Sequence, residues 1–175
     1  MDRLLSNHDI EDIVGEKIPI VTSVNIMKYN DIDDLFGNYN KCLILYQDSN
    51  MNNKISGHWT CICRKLNNIY FFDSYGGFPD SQLKHIPIQY RKQTKQIINK
   101  LSKLLYNSQY DYIHYNPYKF QKSQKNINTC GRWCGAFLKL YTDPEIFKKI
   151  IDIIKNNLDL DYDQLIVKLT NKYIL

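Results

Sequence analysis

Proline and glycine are sparse, 5 and 7 of 175 residues, and no Pro- or Ser-rich stretch or internal repeat divides the chain. A linker-joined or repeat architecture is therefore not expected. No apolar run approaches the roughly 18 residues of a membrane span, and Met1-Asp2-Arg3 does not open a signal peptide, so no membrane partner is expected. The 5 Cys are an odd number with no CxxC pair. That argues against a disulfide framework or a structural zinc site, and for an intracellular, reducing compartment. Acid is the other scarcity. Residues 81–142 carry 11 basic side chains and one acidic, Asp111, while residues 1–80 sum to −4 and residues 143–175 to −1 within a net charge of +5. The basic third either faces a polyanion or is a solvated, Lys-rich surface.

What is present fits one globular domain spanning residues 1–175: 43% hydrophobic and 23% charged residues, enough to bury a core. Asp9–Val14 reads as a short helix capped by Ser6 or Asn7 and stopped by Gly15, and Asp31–Phe36 as another closed by Gly37. Lys41–Gln47 suits a buried strand, and the polar Asp48–Ser56 a loop. His58–Cys63 and Ile69–Asp73 read as a hairpin, Ser74–Pro87 as irregular chain, and Tyr110–Tyr115 as a further strand. Gln89–Tyr106 has Ile97, Ile98, Leu101, Leu104 and Leu105 at helical spacing. Cys130–Tyr141, Pro144–Ile154 and Tyr162–Tyr173 follow as helices, the second with Asp143 as cap. Central strands between helices give the α+β class.

The hairpin places chemistry. A turn on Lys65-Leu66 pairs His58 with Asp73, an imidazole held by a carboxylate, whereas a turn on Asn67-Asn68 sets Ile62 opposite Asp73 instead. In Thr129-Cys130-Gly131, a Cys in the first turn of a helix sits where free N–H groups and the helix dipole favour the thiolate. Gly131 leaves room for a substrate backbone. Gln124, six residues before Cys130, lies in a segment expected to loop over the helix start, where its amide can face an oxyanion beside the Cys130 N–H. Cys130 and Cys134 share a helix face, but no HxxxH or CxxC partner supports metal binding. Cys42, Cys61, Cys63 and Cys134 read as core filler.

The order His, Asp, Gln, Cys, with the strings Gly57-His58-Trp59, Phe72-Asp73-Ser74-Tyr75-Gly76 and Thr129-Cys130-Gly131, resembles the adenovirus-protease and Ulp1-like family of cysteine peptidases. The likeness runs over about residues 55–141 and is nearest to the small maturation proteases of virophages, Polinton-type elements and large DNA viruses. It implies a small mixed or antiparallel sheet flanked by helices, with Cys130 as nucleophile, His58 as base, Asp73 as orienting acid and Gln124 as oxyanion donor. Six residues before the Cys matches Ulp1-like members. The adenovirus type has its Gln one residue earlier, at Ser123 here, and Gln121 competes. Trp59 is expected to wall the cleft beside His58.

The resemblance further implies capsid or other virion precursors as substrates, cut beside small residues such as Gly, in the virion and host cytoplasm, with no metal or organic cofactor. It also suggests non-specific DNA contact, for which Arg91, Lys92 and Lys95 are the candidates. An isopeptidase or acyltransferase with the same triad is one alternative, and a basic nucleic-acid-binding virion protein another. If the peptidase reading holds, Cys130 will alkylate ahead of the other four cysteines at neutral pH. Mass-spectrometric mapping after brief iodoacetamide treatment measures that order.

Overall fold

A computed structural model describes residues 3–51, 54–140 and 142–174. Helix α1 (Asn7–Val14) starts at a reciprocal box in which Ser6 and Asp9 cap each other's backbone N–H, and it stops at left-handed Gly15 (φ 88°). Strand β1 (Ile20–Thr22) leads to α2 (Asp33–Phe36), then to β2 (Lys41–Met51), β3 (Lys54–Lys65) and β4 (Asn68–Phe72). Short helices α3 (Ile88–Gln93) and α4 (Lys100–Tyr106) precede the edge strand β5 (Tyr112–Tyr115). Helices α5 (Cys130–Lys139), α6 (Pro144–Leu158) and α7 (Tyr162–Thr170) close the described chain. Asp143 caps α6, accepting from the Glu145 and Ile146 N–H groups, with Pro144 at the first position.

The five strands lie in sequence order. The pairs β2–β3 and β3–β4 are antiparallel, while β1 and β5 join in parallel, which makes the sheet mixed. Side chains alternate across it. Leu43, Cys61 and Phe72 pack one face against Ile10 and Ile13 of α1, Trp133 and Phe137 of α5, Phe147 and Leu165. Ile44, Ile62 and Phe71 pack the other against Leu35, Phe36, Leu101 and Leu104. Two helical layers therefore cover an α+β sheet, and Cys42, Cys61, Cys63 and Cys134 are all buried within them. Among the described residues no helix is long and apolar enough to cross a membrane.

Three expectations need correction. The β3–β4 register pairs Lys65 with Asn68 and Cys61 with Phe72, so the turn is Leu66-Asn67, neither of the two turns the sequence suggested. Leu66 takes the left-handed conformation there (φ 53°) with its side chain in solvent. That conformation is unusual for Leu, which is why the turn was hard to read.

Asp48–Ser56 is not a loop either. Its described residues continue β2 and β3 as a polar hairpin, which has no core to bury and so leaves no apolar trace. Residues 52 and 53 of that segment lie outside the described residues.

Lastly, Gln89–Tyr106 is two helices. Gln96 is buried between them: its amide accepts from the Ser23 hydroxyl and donates to Thr94 Oγ1 (2.8 Å) and the Gln47 carbonyl (3.3 Å). The chain breaks to admit it, with Lys95 left-handed (φ 62°) and Ile97 and Ile98 exposed.

A bulge at Asp48 interrupts the β2–β3 ladder directly opposite Gly57. A Cβ on Gly57 would lie 2.1 Å from the Tyr46 carbonyl oxygen, so only glycine lets the strands approach there. Gly57→Ala is expected to cost ~1–3 kcal/mol through forced backbone shifts. Urea unfolding measures this, and an unshifted midpoint would contradict the close approach.

Candidate active site

His58 and Asp73 sit where β3 and β4 part. Continuing the observed register sets Asp73 opposite Thr60, so His58 is its diagonal neighbour on the same face, within reach across the pleat. The imidazole Nε2 and Asp73 Oδ1 are 2.8 Å apart. Asp73 is fully buried, and the Tyr75 backbone N–H also donates to its Oδ1 (2.9 Å) while the Gln82 side-chain amide donates to Oδ2 (2.5 Å). Burial pushes this carboxyl up, but the His58 hydrogen bond and charge, with the two other donors, hold it below its ordinary value. The Tyr75 ring stacks on His58 at 4.6 Å and nearly parallel, fixing the ring plane.

With Nε2 committed to Asp73, Nδ1 is the ring nitrogen left for Cys130, the first residue of α5, which lines the same cleft. Burial pushes the Cys130 thiol up. The His58 charge and hydrogen bond, then the backbone N–H groups of Trp59 and Gly131, outweigh it and bring the thiol below its ordinary value. Burial lowers His58, and the Cys130 charge with the Asp73 hydrogen bond raises it well above the usual imidazole range. The favoured state is thiolate and imidazolium. The other four thiols lack such partners, and burial raises them all, Cys42 and Cys63 to about 12.

Cys130, His58 and Gln124 open onto one cleft of about 670 Å³, shared with Gly77, Gln121 and the bulge residue Asp48. Gln124 is exposed. Gln121 is buried and committed: its carbonyl accepts from the Ser74 hydroxyl (2.8 Å), and its amide donates to the Ile127 carbonyl (3.0 Å) and the Tyr75 hydroxyl (3.2 Å). Gln121 is therefore part of the frame, while Gln124 lies exposed at the cleft.

The remaining candidates fall elsewhere. The Trp59 indole does not line this cleft. It donates to the Leu5 carbonyl (3.2 Å) and lines a neighbouring apolar groove, because successive strand residues point to opposite faces. The space at Gly131 is filled by α1 and the segment before it, since a Cβ there would meet Ile10 Cδ1 at 3.0 Å and Leu5 Cβ at 3.3 Å. Arg91 Nε donates to the Gln96 carbonyl (2.9 Å), and Lys92 and Lys95 are exposed on separate segments, so the three do not form one helical face. Gln82 escaped the sequence because it lies in a segment read as irregular. Tyr75 was in view as part of a motif, but without a role.

No family model matches the chain. Over 168 residues it is 40% identical to the uncharacterized protein V9 of Sputnik virophage, covering 95% of this chain and 93% of that one. Among solved structures it overlaps the C-terminal Ulp1 protease domain in complex with Smt3, the yeast ortholog of SUMO, at 18% identity and a TM-score of 0.31, over 78% of this chain and 64% of that one. The ASFV pS273R protease overlaps at 15% identity and a TM-score of 0.39, over 82% and 60%. The chain spans less than two thirds of either solved chain. Overlaps this loose say nothing of chemistry.

The ion pair sets a pH signature. The thiolate–imidazolium state prevails from below the ordinary thiol range to above the ordinary imidazole range. The Cys130 charge is the largest cause that raises His58 and Asp73 the next; Asp73→Asn removes that second part, so the alkaline limb of turnover should move to lower pH and the acid limb to higher pH. Turnover should fall by less than the ~10⁴ that the same change costs a serine triad. Unmoved limbs would show that Asp73 does not act through the ring.

Proposed function

The chain belongs to the family of the Sputnik virophage protein V9, and we propose that it is a cysteine endopeptidase acting on virion precursor proteins. One observation carries this: a buried Asp73 carboxylate 2.8 Å from His58, whose ring meets a depressed Cys130 thiol at a helix start within a cleft. Nucleophile, base and orienting acid stand in the order that thiol hydrolysis needs.

The Cys130 thiolate attacks the scissile carbonyl carbon. Negative charge passes to the carbonyl oxygen, which the Cys130 N–H and the Gln124 amide stabilise. The His58 imidazolium gives its proton to the leaving nitrogen as the C–N bond breaks, leaving an acyl-thioester and a neutral imidazole. Water then enters, His58 takes one of its protons, and the second tetrahedral species collapses to acid and thiolate. Asp73 fixes the ring and balances its charge throughout.

The virophage relative and the resemblance over residues 55–141 support virion precursors as substrates. Tyr75, stacked on His58, lines the same cleft as Cys130, and a bulky ring beside the reacting groups supports small residues beside the cut. Non-specific DNA takes a minor place in the proposal, through exposed Lys92 and Lys95, since Arg91 is committed to Gln96.

Purified chain incubated with capsid precursors should generate new internal termini. Cys130→Ala should generate none while keeping its melting temperature, and Gln124→Ala should slow cleavage ~10²–10³-fold, the range for an oxyanion donor. Turnover retained in Cys130→Ala would end the reading. Release of a folded modifier without internal cuts would favour the isopeptidase alternative.

A further inference from the structure

The segment between Lys119 and Cys130 carries Gln124 and delivers the nucleophile, yet it is a thin wall. Lys119, Ser123 and Gln124 line the catalytic cleft on one side and a second cavity of about 390 Å³ on the other. The far side of that cavity is the first turn of α7, at Asp161–Asp163. Here Asp163, with no exposed surface, reaches the wall at both ends. Its Oδ2 accepts from the Lys122 backbone N–H (3.1 Å) and its Oδ1 from the Thr129 hydroxyl (2.6 Å). Lys122 Nζ adds an ion pair to Asp161 at 2.6 Å, and Arg132, in the first turn of α5, donates to Thr170 at the end of α7 (2.6 Å).

Thr129 makes the arrangement pointed. It is the cap residue of α5, and a threonine there ordinarily accepts from a first-turn N–H. In this chain it makes no such bond, because its hydroxyl is turned to Asp163.

We infer that Asp163 is a positioning residue for the oxyanion hole, pinning the loop that carries Gln124 on both sides of it, at Lys122 and at Thr129. The inference rests on the peptidase reading above. It assigns a part in the reaction to the C-terminal helix, which holds neither nucleophile nor base.

Two reactions of the full chain separate this role from a general structural one. Acylation of Cys130 by p-nitrophenyl acetate passes through an oxyanion, while alkylation by iodoacetamide does not. In Asp163→Asn one side-chain oxygen becomes an NH₂ group, which cannot accept from both Lys122 and Thr129. Its p-nitrophenol burst should slow about tenfold or more, up to the ~10²–10³ of losing an oxyanion donor outright, with alkylation within about twofold of wild type. Thr129→Val removes only the donated hydroxyl, should shift the same ratio in the same direction, and carries the test should Asp163→Asn not fold. Acylation unchanged in the folded variants, or acylation and alkylation falling together, would overturn the inference. A wild-type burst that survives in Cys130→Ala would overturn the peptidase reading instead.

Discussion

A negative sulfur facing a positive ring, the first buried and the second largely withdrawn from water, is the interaction on which the rest of the structure depends. Either ion alone would cost several kcal/mol in desolvation and would neutralise instead. Together they persist because charge alternates along a line: the Cys130 thiolate, the His58 imidazolium and the Asp73 carboxylate. The line would fail at its end if Asp73 were left with a spare oxygen. The Tyr75 N–H and the Gln82 amide close that end, so the last negative charge is held by dipoles rather than by another ion. At the other end the Trp59 and Gly131 N–H groups do the same for sulfur. The meeting of β3, β4 and α5 brings these donors together without any residue between.

Neighbouring residues of the short motifs divide the labour. The Trp59 backbone serves the sulfur while its indole packs away from the cleft toward Leu5. Tyr75 contributes three parts of itself: its N–H to Asp73, its ring to His58 and its hydroxyl to Gln121. Such double use explains why the strings around His58, Asp73 and Cys130 stand out in the sequence. Each position answers to two demands at once.

How much of this was legible followed from the kind of signal each part leaves. The buried stretches of β2, β3 and β4, the α5–α7 helices and the α+β class show in apolar periodicity, and the caps at Ser6 and Asp143 in local chemistry, whereas the three residues of β1 are too few to leave such a trace. The pairing of His58 with Asp73 was reached through a register two residues in error, and it survives because such a slip keeps every side chain on its own face. What periodicity cannot carry was missed. Gln96 breaks a helix for the sake of buried polar contacts, and, among the described residues of the hairpin beyond Gln47, Ile55 is exposed. Gln82 and Asp163 are ordinary polar residues until the fold brings them to Asp73 and to the loop before Cys130.

The link from α7 to the catalytic loop also orders events in time. The β2–β3–β4 meander closes over short stretches of chain and needs nothing beyond Phe72 for its pairing. Asp163 lies more than thirty residues past Cys130 and ninety past Asp73 in the chain. Contacts so distant in sequence form late, both in free folding and during synthesis from the N-terminus. A chain leaving the ribosome can hold a formed hairpin, with His58 on it, well before α7 exists to brace the loop before Cys130. The geometry therefore acts as a clock: the nascent protein can hold the β2–β3–β4 meander long before α7 arrives to hold Lys122 and Thr129.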